Sequence, residues 1–504
     1  METESSIRDS RGWLRAAMQP VDAASCAVFR IGCGLLLAWW AADYLMTGRV
    51  RELYIEPRFH FTYYPFDFVK PWPGAGMIWH FGGLCLLALA IALGFLYRLA
   101  TILFALGFTY FFLLERTNYQ NHYYLLTLVA WCLTILPLNR LWALDAWDQR
   151  SLAADTVPAW CLWLLRFHVG VPYVYGGIAK IHPDWLAGEP MRTHLLLRSD
   201  LPVIGPWLAL EPVVQVFVWG GLLFDLLIVP LLLWRPTRLL GYGLCVVFHL
   251  LNSVLFRIHV FPWFMLVATT IFFAPDWPRR LLGMRPAVLP PSSAEASVRL
   301  SRRQRLLFGG LLVYVLFQLV WPFRHWLYPG DAAWTEQGHR FAWRMMLRAK
   351  ISGVRYYMTD AATGVTWIPS LRPYLCAEQM EKFARDPEMV LQLAHFLADE
   401  YRRETGRTAE VRALVLTSLN GRKPQLLIDP QVNLAQVPRG CYRRPWVLPL
   451  TEPLRIPVWS VPLLEWERHV DLPPLPVVTV PPGGAVPRVP AENSTARLPS
   501  RDQS

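Results

Sequence analysis

Lysine is scarce in this chain. Its 504 residues include 49 lysines and arginines, and only Lys70, Lys180, Lys350, Lys382 and Lys423 are lysine. Charge of either sign is also scarce, at 17% against about a quarter in soluble globular proteins, so most of the chain is not built to face water. No CxxC pair occurs, which removes the usual spacing for zinc or iron–sulfur ligation; no metal is expected. There is no Gly-rich phosphate loop, no hydrolase triad and no internal repeat. A cleavable signal peptide is not evident. The first apolar block, near residues 24–46, contains Arg30 and lacks a cleavage site, so it is expected to remain as a helix.

Apolar side chains are abundant. The chain is 54% hydrophobic, with 24 tryptophans and 19 tyrosines, residues that suit interfacial belts. Before residue 323 the apolar blocks run ~16–22 residues, long enough to cross a bilayer. Spans are expected near residues 24–46, 75–96, 99–114, 122–138, 159–179, 212–234, 238–256, 258–274 and 305–322, about nine in all. The expected fold is mostly α: a polytopic transmembrane helical bundle followed by an α+β extracytoplasmic domain. The divisions are an N-terminal segment (1–23), a transmembrane catalytic domain (24–322), the outer domain (323–470) and a proline-rich disordered tail (471–504).

The net charge of +12 admits nucleic-acid binding, but basic residues in short loops fit positive-inside topology better. No nucleic-acid partner is expected; the bilayer is. One side holds Arg8, Arg11, Arg15, Arg98, Arg140, Arg150, Arg235, Arg238 and the basic stretch 279–305. The other holds Arg49, Arg51, Arg58, Lys70, Arg116, Lys180, Arg192, Arg198 and Arg257. The first set is larger, so the N-terminus is predicted to be cytoplasmic and the C-terminal domain periplasmic or lumenal. Six of the eight cysteines fall in apolar blocks as small buried side chains. Cys376 and Cys441 are candidates for a disulfide if their domain lies outside.

In the outer domain, residues 354–359 and 365–368 flank a turn and read as a hairpin. Residues 376–405 have helical periodicity ending near Gly406. Residues 411–419 and 424–428 flank Asn420-Gly421, a pair that suits a type I′ turn. The loop 47–73, rich in aromatics and proline, is expected to pack over the bundle.

Polar groups within membrane segments are expensive, and each is a candidate for function. Lys180 ends the fifth span as a titratable amine, which arginine cannot supply. Asn121, His122 and Tyr124 open the fourth span. His249 and Asn252 lie in the outer half of the seventh. Alternation of the spans brings these three sets to one membrane face, the face that also carries the C-terminal domain. Arg166 and His168, inside the fifth span, favour structural pairing. Each set has a structural alternative: Lys180 as a snorkelling interface residue, His122 as a helix-start hydrogen-bonding group, His249 as a helix-to-helix hydrogen bond, and Gly176-Gly177 as close helix packing.

The chain resembles the vitamin K-dependent γ-glutamyl carboxylases over about residues 25–470, with a membrane domain of the HTTM type and a lumenal or periplasmic C-terminal domain. The segment from Gly177 through Lys180, Asp184 and Trp185 to Gly188 is similar to the family's Gly-Val-Lys-Lys-Leu-Asp-Ala-Asp-Trp stretch. Asn121-His122-Tyr123-Tyr124-Leu125 resembles Asn-His-Ser-Tyr-Leu. Phe248-His249-Leu250-Leu251-Asn252-Ser253 resembles Phe-His-x-x-Asn-Ser. Residues 274–279 and 428–432 also match. The chain departs at Ala179, where the family has its first lysine, and at Val254.

The resemblance implies a vitamin K-dependent peptidyl-glutamate carboxylase that couples oxidation of a reduced naphthoquinone to its epoxide with carboxylation of glutamate. O2 and CO2 are the co-substrates, and a glutamate-containing peptide or protein is the partner. It implies Lys180 as the catalytic base and His122 as the group that stabilises developing oxyanion charge. Asn121, Tyr124, Gly177, His249, Asn252 and Trp185 are expected to bind quinone or substrate. Two other readings stay open: a quinol epoxidase without carboxylation, and a non-enzymatic membrane transporter or scaffold on the same fold.

Overall fold

In a bilayer the backbone of an apolar run has no hydrogen-bond partner but itself, so such runs close into helices. The computed structural model describes residues 12, 14–256, 258–289, 300–440 and 444–479. All nine predicted segments are helical: α1 (Ala24–Met46), α2 (Gly76–Leu93), α3 (Tyr97–Leu114), α4 (Asn121–Ile135), α5 (Ala159–Lys180), α6 (Glu211–Leu233), α7 (Arg238–Phe256), α8 (Phe261–Thr269, continued by a 3-10 turn, Thr270–Phe272) and α9 (Arg302–Val320). Of these, α1, α2, α3, α6, α7 and α9 are long and apolar enough to cross a membrane. The count of nine spans is thus not reproduced by length and composition. Helices α4 and α8 are short, and polar side chains such as Arg166, His168 and Lys180 dilute the apolar character of α5.

At the end of the bundle near the N-terminus, a short strand β1 (Pro20–Asp22) pairs with β2 (Thr156–Pro158). Arg279 ties Asp22 to Asp155 there. Arg30 is fully buried inside α1, and donates to the carbonyls of Ile91, Ala92 and Trp142 at 3.2, 3.0 and 2.5 Å. Gly94 makes that approach possible, since an added Cβ would stand 2.2 Å from the guanidinium. Arg166 donates to the carbonyls of Ile271 and Phe273. His168 bridges the Leu164 carbonyl and the Tyr314 hydroxyl. Both are engaged in tying helices together.

The C-terminal domain sits against the opposite end. Its sheet has the order β4 (Thr366–Trp367), β3 (Lys350–Asp360), β5 (Ala409–Leu419), β6 (Gln425–Leu426). The two predicted hairpins are β3–β4 and β5–β6. They are joined by antiparallel pairing of β3 with β5 from Lys350↔Leu419 to Asp360↔Ala409. Asn420 and Gly421 both have positive φ, 53° and 71°, as a type I′ turn requires. The predicted helix 376–405 divides into α10 (Ala377–Lys382) and α11 (Pro387–Thr405). Pro387 lacks the N–H needed to continue from α10 but suits a first helical position, and Asp386 caps it through the Glu388 N–H at 2.9 Å. Residues 472–479, expected to share the disorder of the tail, instead lie on this domain. Thr479 N–H donates to the Thr366 carbonyl, and Gln431 donates to the Pro474 carbonyl. Arg8, Arg11, Arg257, Cys441 and residues 480–504 lie outside the described residues.

The two domains interleave. Phe61, from the loop 47–73, is buried in the core of the C-terminal domain. In the other direction, Trp343 is buried in the core of the bundle, with Phe341 packed against it. Asp386 accepts from Arg116 of the bundle at 2.8 Å and from Arg340 at 2.5 Å. Burial pushes its carboxyl up, but Arg116 and Arg340 outweigh that and hold it well below the usual carboxylate range. A carboxyl depressed on folding contributes stability above its unfolded value, about pH 4, and that contribution is lost as the pH falls. Asp386→Asn is therefore expected to cost about 3–5 kcal/mol by stranding two buried guanidinium groups. Thermal unfolding of the purified protein should then depend less steeply on acidification than in the parent. Parallel acid profiles would contradict this.

Candidate active site

Lys180 is the last residue of α5, and its position follows from where that helix stops. The chain turns through Ile181 and His182 into a short helix (Pro183–Leu186). The side chain of Lys180 is buried in an ion pair with Asp225 of α6. Its ammonium nitrogen also lies 5.1 Å from the centre of the Trp185 ring. Trp185 is fixed in turn by donating to the Val218 carbonyl at 3.0 Å.

Glycine lets the two helices meet. A Cβ at Gly176 would stand 2.9 Å from Asp225 Oδ2 and 2.8 Å from Met345 Cε. One at Gly177 would stand 2.7 Å from Leu226 Cδ2. Neither leaves room for a side chain, and this is the close packing that small residues permit between membrane helices.

Beside the ion pair lies a cavity of about 810 Å³. Lys180, Asp225, Trp185, Asn121, His122, His249 and Asn252 all line it. His122, at the start of α4, is nearly parallel to the Phe261 ring, 22° between planes at 5.3 Å. His249 meets the other ring geometry of Phe261, at 84° and 5.9 Å. His249 Nε2 lies 2.6 Å from the Tyr173 hydroxyl. His122 Nε2 and His249 Nδ1 are buried without a hydrogen-bond partner among the described residues. The remaining walls are largely apolar, from α6, α7 and α8, with Met345 and Met346 contributed by the C-terminal domain.

Two expected site residues fall elsewhere. Tyr124 does not line the cavity; its hydroxyl donates to Gln318 of α9 at 3.1 Å, and its ring packs on Trp343. Residues two apart on a helix do not share a face, so His122 and Tyr124 point apart. Gly177 packs against Leu226 and is not in the lining. The sequence reading missed Asp225, Tyr173, Met345 and Met346. A lone carboxylate within an apolar span was the available signal for Asp225.

The loop after Lys180 is clamped by the outer domain. Asp184 accepts from Arg422 at 2.6 and 2.7 Å, a bidentate pair, and from Asn420 at 2.8 Å. Burial acts against its ionisation, yet Arg422 and Asn420 hold its carboxyl below the usual range. Asn420 also accepts from the Ala349 N–H and donates its own N–H to the Ala349 carbonyl, both at 2.8 Å. No group of three or more His, Cys, Asp or Glu side chains among the described residues is arranged to hold a metal.

Residues 18–277 match the family model described as HTTM domain. Residues 303–453 match the one described as vitamin K-dependent gamma-carboxylase, lumenal domain. No solved structure matches the chain.

The Lys180–Asp225 pair makes a direct prediction. Asp225→Leu leaves a buried lysine without countercharge and is expected to cost about 3–5 kcal/mol. Adding Lys180→Met should recover most of that loss, because the pair is then replaced by apolar side chains of similar size. Thermal unfolding of the two single variants and the double variant checks it; additive losses would contradict the pairing.

Proposed function

Because the chain belongs to the HTTM family and carries the lumenal domain of the vitamin K-dependent gamma-carboxylases, we propose that it is a multi-pass membrane carboxylase acting on peptidyl glutamate. In this reading the N-terminus is cytoplasmic, all nine bundle helices cross or enter the bilayer, and the C-terminal domain lies outside. The observation that carries the proposal is one cavity, walled by membrane helices and roofed by the C-terminal domain, that holds Lys180, His122 and His249 together. Its unpartnered imidazole nitrogens and largely apolar walls fit a flat lipid ring with polar oxygens.

A reduced naphthoquinone, when bound, supplies the driving chemistry: its oxidation by O2 to the epoxide provides a base strong enough to remove a glutamate γ-proton, and CO2 captures the carbanion. The protein's part is positioning and proton handling. Lys180 Nζ, as the free amine, accepts the proton of a bound hydroxyl. Asp225 then faces the ammonium that proton uptake creates. His122 Nε2 and His249 Nδ1 are free to hydrogen-bond oxygens of the ring, and preorganised contacts of this kind stabilise developing charge. Trp185 and the Asp184 clamp keep the amine at the cavity wall. Met345 and Met346 exclude water on the outer side.

Lys180→Ala is expected to lower both quinol epoxidation and incorporation of radiolabelled carbon dioxide into a glutamyl peptide by about 10²–10⁴-fold. Small exogenous amines should restore part of both. Unchanged activity in this variant would sink the base assignment. Epoxide formation without label in the parent protein would favour a quinol epoxidase instead.

A further inference from the structure

A cavity of about 540 Å³ opens at the end of the bundle near the N-terminus, away from the C-terminal domain. It lies between the start of α3, the loop that follows α4 and the loop that precedes β2. Arg98 and Arg140 line it, with Asn139, Gln149 and Ser151 as further polar groups. A guanidinium has five N–H donors, and these two spend few of them. Arg98 donates to the Thr134 carbonyl, and Arg140 Nη1 lies 3.5 Å from the Thr156 carbonyl. Neither forms an ion pair with a carboxylate among the described residues.

The one carboxylate in the lining, Asp145, is already committed. It accepts from the Leu96 and Tyr97 N–H groups at 2.8 and 3.0 Å, capping α3, and from Asn139 at 2.8 Å. A third positive charge lies beneath. Arg30 donates only to backbone carbonyls, among them that of Trp142 in the loop after α4. Gly94, against which Arg30 packs, accepts from the Asp145 N–H at 3.0 Å. Three guanidinium groups thus gather around one engaged carboxylate. Uncompensated charge away from water is costly, and an anion in the cavity offsets it.

The rim is apolar. Leu96, Leu99 and Leu152 line the cavity and are exposed, and Trp147 is exposed on the short helix Leu144–Asp148 beside it. Helix α3 is long and apolar enough to cross a membrane, so its first turn falls where hydrocarbon gives way to headgroups, the level at which tryptophan is enriched. A small soluble anion uses the arginines but not the exposed leucines. A lipid uses both.

We propose that this cavity binds the phosphate of an anionic phospholipid, with Arg98 and Arg140 as its anchors and the acyl chains lying along α3 past Leu96 and Leu99. Basic pockets between membrane helices on the cytoplasmic side hold such headgroups, and the orientation proposed above puts this end in the cytoplasmic leaflet. The choice of leaflet rests on that orientation. The site itself rests on the cavity and its arginines, and holds whatever reaction the chain catalyses.

The test uses the purified full chain in detergent micelles, titrated with dioleoyl phosphatidylglycerol or dioleoyl phosphatidylcholine, with bound lipids counted by native mass spectrometry. The parent is expected to hold one phosphatidylglycerol about 10- to 100-fold more tightly than phosphatidylcholine, as two arginines beside an anionic headgroup imply. Replacing both anchors, Arg98→Gln with Arg140→Gln, should erase that preference. Ser151→Asp, at an exposed position in the lining, should erase most of it while leaving both arginines in place. Arg235→Gln removes an exposed arginine at the same end of the bundle, between α6 and α7, and should change nothing. A preference that survives both site variants, or is missing in the parent, overturns the proposal. So does an equal loss in Arg235→Gln, which would mark a diffuse surface charge. Displacement of the lipid by inorganic phosphate would mark a soluble-anion site and overturn it as well.

Discussion

The site depends on one interaction, the buried ion pair between Lys180 at the end of α5 and Asp225 within α6. Each charge alone would be untenable among apolar helices, and each is tolerated because the other is there. The glycines at 176 and 177 sit beside the pair, where an added Cβ would press on Asp225 Oδ2 and Met345 Cε or on Leu226. The pair explains why Trp185 is buried beneath the amine and held by Val218 of the same helix that carries Asp225. A lysine placed this way is held in one orientation, unlike one that snorkels at an interface.

The C-terminal domain is part of that arrangement. Asn420, at the tip of the β5–β6 turn, joins Asp184 of the membrane domain to Ala349 at the start of β3. Ala349 is three residues beyond Met346, which lines the membrane cavity. One turn residue therefore connects the loop after Lys180 with the segment that carries Met345 and Met346. The exchange of Phe61 and Trp343 between cores makes the same point through packing: neither core is complete without the other domain.

Much of this was legible in the sequence, for local reasons. Apolar runs gave the helices, the Asn-Gly pair gave the second hairpin turn, and alternation of spans put Lys180, His122 and His249 at one end. What escaped was non-local or depended on helix phase. Nothing in either hairpin announces that β3 pairs with β5. Tyr124 lies in the same motif as His122, yet two residues of helix turn it toward Gln318. Asp225 was missed although it is the one acid in its apolar run; its partner is 45 residues away, and only the packing of α5 on α6 identifies it.

If the cavity does what its geometry suggests, a lipid and a peptide are turned over together at the end of α5. The most direct measurement is mass spectrometry of a glutamyl peptide after incubation with the reconstituted protein, reduced naphthoquinone, oxygen and bicarbonate, with the quinone products quantified in the same sample. The account predicts that the peptide gains the mass of one carbon dioxide per modified glutamate, in step with the quinone epoxide formed. An unmodified peptide alongside abundant epoxide, or no turnover of either substrate, would contradict it.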